Sequence, residues 1–202
     1  MIKTKKVGHL VVISGPSGAG KSTVIAEVMH QRDNLVFSVS YTTRTPRAGE
    51  QDGVNYHFVS REEFERMIAA GELLEYTNYE GNYYGTSLVD IHAEMEKGCD
   101  VLLDIEVEGG ANVRRQMENA VLIFVAPPSF EELSRRLYGR RTESEAVVQG
   151  RLARAKEELK EIPNYDYLVV NDSVSRAATD IISILNAEDC RVTKQTLKLE
   201  VE

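Results

Sequence analysis

At 202 residues the chain has the length of one compact domain with room for small inserted lobes. Its 42% hydrophobic and 28% charged residues exclude an intrinsically disordered chain. A formal net charge of −8 excludes broad binding to nucleic acid or an anionic membrane, which needs a basic face, so any anion site must be local.

The opening hexapeptide MIKTKK reads as a solvated basic tail. The apolar run after it, HLVVISG (9–15), is too short for a signal peptide or a membrane span, and no later stretch is long enough either, so a cytoplasmic protein is expected. LVVIS (10–14) is a β-branched run closed by glycine, the pattern of a strand buried on both faces. GPSGAGKS follows, and then TVIAEVMHQR, with Val24, Ile25 and Val28 at helical spacing. Strand, glycine loop and helix open a βα unit.

Residues 38–95 differ in character. SVSYTTRTP, VNYHFVS and ELLEYTNYEGNYYG are rich in Thr, Tyr and Gly, with short strands and turn signals that suggest a small, mostly β insertion. The core pattern resumes at DVLLDIEV (100–107), AVLIFVA (120–126) and YLVVND (167–172), separated by helical patterns at 108–117 and 129–139. Alternating strands and helices predict an α/β fold with a parallel sheet and right-handed crossovers. A second insertion, 129–160, is helical and arginine-rich. The last helical pattern, 175–188, carries Ala178, Ile181, Ile182 and Leu185 on the face expected to meet the sheet, and the tail 189–202 alternates only weakly. Cys99 and Cys190 show no CxxC spacing, which argues against a zinc site or disulfide framework; both are read as buried thiols.

Gly15, Pro16, Ser17, Gly18, Ala19, Gly20, Lys21 and Ser22 match G-x-x-x-x-G-K-[ST] between a buried strand and a helix. The glycines let backbone amides turn toward a polyphosphate, Lys21 reaches the outer phosphates, and the Ser22 hydroxyl can hold Mg²⁺. Asp104 ends an apolar strand, where a carboxylate can hold the metal directly or through water. Arg44 and Arg47 flank Pro46 and can close two guanidinium forks on one phosphate if the segment bends; a solvated basic loop is the alternative. Tyr56 and Tyr84 offer phenolic donors, Ser40 and Thr86 offer hydroxyls, and Glu75 offers a carboxylate. Guanine presents N1–H and its 2-amino group side by side, so a carboxylate accepting both would tell it from adenine, whose N1 is an acceptor.

GPSGAGKST, SVSYTTRTPRAGEQDGVNYHFV, LLEYTNYEGNYYGTS, LLDIEVEGG, APPSFEELSRRL, GRRTESE and VVND together resemble the guanylate kinase family in order and spacing, over residues 8–187. The resemblance implies a phosphate-loop NTPase core (1–37, 96–128 and 161–202), its parallel sheet flanked by helices, with a GMP-binding lobe (38–95) and a helical lid (129–160). It implies ATP- and Mg²⁺-dependent phosphorylation of GMP, and by extension dGMP. ATP would be bound by the loop residues Gly15 to Ser22 and by Thr23, with Asn171 and Asp172 beside adenine. GMP would be held by Ser40, Arg44, Arg47, Tyr56, Glu75, Tyr84, Gly85, Thr86 and Asp104. Asp104 thus has two implied places, the base or the metal. Lys21, Arg47, Arg140 and Arg151 match catalytic positions. Two residues depart from the family pattern: Arg141 stands where glycine or a small polar residue is common, and Glu108 where glutamine is frequent. A kinase for another nucleoside monophosphate and a non-catalytic protein-binding module are the alternatives. Glu75 argues against the first and the complete phosphate loop against the second.

Overall fold

A computed structural model describes residues 2–5, 7–139, 144–192 and 196–199. In chain order the strands are β1 (Ile2–Lys5), β2 (Leu10–Ser14), β3 (Leu35–Phe37), β4 (Tyr41–Thr42), β5 (His57–Phe58), β6 (Leu73–Tyr79), β7 (Asn82–Ser87), β8 (Asp100–Asp104), β9 (Val121–Ala126), β10 (Tyr167–Val170) and β11 (Thr196–Leu199). The α-helices are α1 (Lys21–Gln31), α2 (Arg61–Ala69), α3 (Leu88–Glu96), α4 (Val107–Gln116), α5 (Phe130–Gly139), α6 (Glu145–Leu159) and α7 (Val174–Asp189).

The core is a five-stranded parallel sheet in the order β10-β9-β2-β8-β3. β2 and β9 are buried along their whole lengths because helices cover both faces, which is why they read as unbroken apolar runs. Alternate residues face opposite ways. Val11 and Ile13 pack with Val24, Val28, Ile181 and Leu185 of α1 and α7, while Leu10 and Val12 pack with Ile91 and Val113 of α3 and α4. Because β2 lies between β8 and β9, the loop that follows it emerges at the carboxyl ends of the central strands, where ligands of open α/β sheets bind.

Residues 38–95 form a four-stranded sheet, β5-β4-β7-β6, with helices α2 and α3. The β6–β7 hairpin turns through Glu80 and Gly81, both at positive φ (50° and 81°), the two-residue turn whose twist suits paired strands. Phe64, Met67 and Leu73 give this sheet its own small core, whereas Leu74 joins the core of the main sheet and anchors the insertion there. The second insertion is the helix pair α5 and α6, packed through Leu133, Leu137, Val148 and Leu152.

Three expectations are corrected. The strand expected through Val107 stops at Asp104, and Val107 opens α4 after Glu106 in extended conformation; Ile105 and Val107 are apolar because they pack on the core, and a short apolar run does not separate strand from helix start. Within MIKTKK, Ile2–Lys5 is not a free tail, since it pairs antiparallel with Thr196–Leu199. Cys99 is half-buried in the turn before β8 and Cys190 is exposed as the C-cap of α7, so neither is a core thiol.

At the pole opposite the phosphate loop, a buried polar network ties four elements together. Arg32, the C-cap of α1, donates to Asp100 Oδ2 at the start of β8 (2.6 Å) and, from α7, to Asp189 Oδ2 (3.0 Å) and Asn186 Oδ1 (2.9 Å). Asp100 Oδ1 also accepts from the His9 backbone N–H (2.9 Å) and lies 3.0 Å from His9 Nδ1. Burial pushes the Asp100 carboxyl up, but the His9 and Arg32 hydrogen bonds outweigh it and hold the carboxyl below its ordinary value. A depressed folded pKa contributes stability that is complete above the unfolded value of about 4 and is lost as pH falls through the lower folded value. Asp100→Asn is therefore expected to cost about 1–3 kcal/mol near neutrality, because it removes the fully buried one of the two carboxylates that pair with Arg32 and leaves Asp189 as the remaining one, and to flatten the acid limb of the stability curve. Urea unfolding at several pH values checks both; an unchanged midpoint at pH 7 would remove the network from the stability account.

Candidate active site

The turn after β2 requires glycine for steric reasons. Gly15 has φ 146°, and a Cβ there would lie 2.1 Å from the Val125 carbonyl oxygen of β9. Gly20, at φ 90°, opens α1 against the Asn171 side chain, whose Nδ2 would be 2.5 Å from an added Cβ. Lys21 Nζ donates to Gly15 O (2.7 Å), folding the ammonium across the loop. With Ser17, Gly18, Gly20, Ser22 and Thr23 it lines a cavity of about 330 Å³, closed on the other side by Asp104, Ile105 and Glu106.

The loop is braced from below. Ala19 O accepts from Asn171 Nδ2 (2.8 Å) and Arg136 Nη1 (3.1 Å), while Arg136 Nη2 donates to Asn171 O (3.0 Å). Glu132 orients that guanidinium through Nε (2.8 Å). Asn171 is 3% exposed, so its amide serves the loop's backbone, and the neighbouring Asp172 carboxylate pairs with Arg176 of α7 (3.0 Å). Arg136 was not legible as a site residue, because Glu132 and Arg136 in sequence are only an i,i+4 helix pair. From α6, Arg151 donates to Ser17 Oγ, and Arg154 pairs with Glu106 at the cavity rim. Arg140 and Arg141 lie outside the described residues.

Burial holds the Asp104 carboxyl above its ordinary value, the charge of Lys21 offsetting only part of that rise. It shares the cavity with the Ser22 hydroxyl, so this wall offers hard oxygen donors of the kind a divalent cation takes.

A second cluster forms in residues 38–95. Arg44 lies over the rings of Tyr56 (5.5 Å) and Phe58 (5.7 Å), and the rings of Tyr56 and Tyr84 meet edge to face at 5.9 Å. Glu50, unnoticed in the sequence, grips both terminal nitrogens of Arg44 at 2.9 Å. Its signal was an acid closing a loop of two arginines just after Gly49 (φ 89°). Arg47 shares this loop with its side chain exposed. Across the β6–β7 pair, Thr86 Oγ1 donates to Glu75 Oε1 (2.6 Å), and the buried threonine thereby aims a half-buried carboxylate. Gly85 allows this close pairing, since a Cβ there would meet Glu75 O and the Phe64 ring at 2.9 Å. Ser40 is half-buried where β4 begins, its carbonyl accepting from His57 N (2.9 Å).

A central strand running through a tight glycine loop into a helix, with an acidic strand end across the same cavity, defines a phosphate-loop nucleotide-binding protein. The sequence profile described as guanylate kinase matches residues 7–188, and the chain belongs to the guanylate kinase family. It is 48% identical to the guanylate kinase of Desulfitobacterium hafniense, over 93% of this chain and 94% of that one, and 48% identical to that of Clostridioides difficile, over 94% and 92%. Among solved structures, the guanylate kinase from Anaplasma phagocytophilum superposes with a TM-score of 0.72 at 37% identity, covering 96% of this chain and 93% of that one. The SH3-kinase fragment of tight junction protein 3 shares the fold alone, at 11% identity and a TM-score of 0.52, with 99% of this chain and 64% of that one covered.

Asn171→Ala removes the brace under Ala19 and leaves a buried carbonyl with one fewer donor, a loss of about 1–3 kcal/mol. Nucleotide titration should show roughly tenfold or greater weakening of ATP binding with the GMP affinity unchanged. Equal ATP affinity in the variant and the wild type would show that the loop needs no support from Asn171.

Proposed function

We propose that the chain transfers the γ-phosphoryl group of ATP to GMP, and to dGMP, producing the diphosphate and ADP. The observation that carries this reading is the lobe holding both a phosphate clamp (Arg44, Tyr56, Tyr84) and a threonine-aimed carboxylate (Glu75, Thr86), in a chain whose phosphate loop is complete. Arg44, Arg47, Tyr56 and Tyr84 grip the acceptor phosphate, while Glu75, with Ser40 and Thr86, reads the guanine edge. The attacking oxygen of GMP is already anionic at neutral pH, so the site needs no general base. What it must overcome is repulsion between two polyanions.

The arginines of the lobe neutralise the acceptor, Lys21 the donor, and Arg140 with Arg151 the phosphoryl group in transfer. The contact between Arg151 and Ser17 supports that role, since it carries α6 to the phosphate loop. Ser22 and Asp104 fit Mg²⁺, which when bound with ATP neutralises phosphate charge; the shared cavity of these two residues favours the metal over the base as the place of Asp104. Asn171 and Asp172 are assigned to the adenine side by the family resemblance, and the hydrogen bond from Asn171 to Ala19 supports a role for Asn171 through the loop.

We read residues 1–37, 96–128 and 161–202 as the core, 38–95 as the GMP lobe and 129–160 as the lid. The separate small cores of the two insertions support this division. A lid that delivers its arginines only on closing would also exclude water, the competing acceptor. No helix among the described residues is long and apolar enough to cross a membrane, in keeping with a cytoplasmic enzyme acting on small molecules.

A coupled assay of ADP release with ATP and Mg²⁺, offering GMP, AMP, CMP and UMP in turn, tests the reading: GMP should be strongly preferred, and failure to use GMP would end it. Arg140→Ala should lower turnover about 10³-fold with little change in GMP binding. Glu75→Gln should narrow the ratio of kcat/KM between GMP and AMP, because a neutral amide can accept from only one of guanine's two donors and tolerates adenine's N1.

A further inference from the structure

An arginine that clamps phosphate must present the right edge of its guanidinium, and in this structure a carboxylate chooses the edge. Arg44 has five N–H donors in a plane. Nη1 gives both of its own, to Glu50 Oε2 (2.9 Å) and Thr45 O (2.8 Å), and Nη2 gives one, to Glu50 Oε1 (2.9 Å). Glu50 and Thr45 leave two, on Nε and Nη2, which lie parallel on one side of the plane, the fork that matches two oxygens of a phosphate, and the Tyr84 hydroxyl is the protein group that hydrogen-bonds to what they leave. The Tyr56 and Phe58 rings fix the plane of the guanidinium. Glu50 reaches the second arginine as well. Its Oε2 accepts from the Arg47 backbone N–H (2.7 Å), and its own N–H donates to Arg47 O (3.1 Å), which bends the chain just after Pro46.

We propose that Glu50 is the positioning residue of the acceptor-phosphate clamp: it occupies the end of the Arg44 fork, leaves the side edge for the phosphate, and sets the turn that carries Arg47. The carboxyl is held below its ordinary range, first by the Arg44 hydrogen bonds and then by the Arg47 N–H, so it is ionised throughout the neutral range. A positioning role and a gating role have opposite consequences. A carboxylate that merely competed with the incoming phosphate would weaken binding, and its removal would tighten it; one that pre-orients the fork lowers the ordering cost of binding, and its removal weakens it.

The inference rests on GMP being the acceptor, and the experiment keeps the two questions apart. KM for GMP, KM for ATP and kcat are measured for the wild type and for Glu50→Gln, together with competitive inhibition by guanosine, which carries the base and ribose without the phosphate. In Glu50→Gln the KM for GMP should rise about tenfold to a hundredfold, with KM for ATP and guanosine inhibition unchanged. Unchanged or tighter GMP binding would overturn the proposal, as would an equal loss for guanosine, which marks general damage to the lobe. If Glu50→Gln does not fold, Glu50→Asp, one methylene too short to span both Arg44 nitrogens and the Arg47 N–H, is read by the same criteria. Absence of wild-type turnover with GMP would instead refute the proposed function.

Discussion

The close passage of the phosphate loop over the ends of β9 and β10 is the constraint on which the rest of this structure depends. Gly15 touches Val125 where any side chain would collide, and Ala19 is held by an amide that is almost fully buried. Strand order produces this arrangement. With β9 beside β2 and β10 beyond it, the chain leaving β10 arrives under the loop just as the loop turns into α1. A backbone shape that binds polyphosphate through its own N–H groups must be rigid before the ligand arrives, and a buried hydrogen bond supplies that rigidity where a surface one would not.

In this acidic chain the cations around the phosphate loop and the second cluster are individually held in place. Arg44 is fixed by Glu50, Arg136 by Glu132, and Lys21 by the carbonyl of Gly15. Each partner removes rotamer freedom from its cation, and each leaves some donors unused. The acids that contribute to the net negative charge therefore also orient the cations. The clustering at Arg154, where Glu106 and Glu158 converge, follows the same pattern and gives the rim carboxylate Glu106 a cationic partner.

Structural duties are separated along the sheet. The carboxyl ends of the strands carry the loop and its braces, while the amino ends carry Arg32, Asp100 and His9, sealed from water and joined to α7. The same helices, α1 and α7, thus pack through Val24, Val28, Ile181 and Leu185 in the middle and are pinned by charge at the far end.

Features whose causes lie within a few residues were legible in the sequence: the buried runs at 10–14 and 120–126, the glycine loop and its following helix, and the face of α7 bearing Ala178, Ile181 and Leu185. The pairing of Glu75 with Thr86 could be anticipated in kind, since both lie in strand-like segments joined by a tight turn. Contacts across large sequence distances could not. Asn171 meets Ala19 across 152 residues, Arg136 meets it across 117, and β1 finds β11 only when the two ends of the chain are brought together. Glu50 is only six residues from Arg44, yet its role needs the bend of the loop as well as its spacing. Local propensity and periodicity are short-ranged properties of a chain, so sequence determined the elements and the chemistry of the motif; which polar side chain meets which backbone carbonyl depends on how the elements pack, and only the tertiary structure decided that.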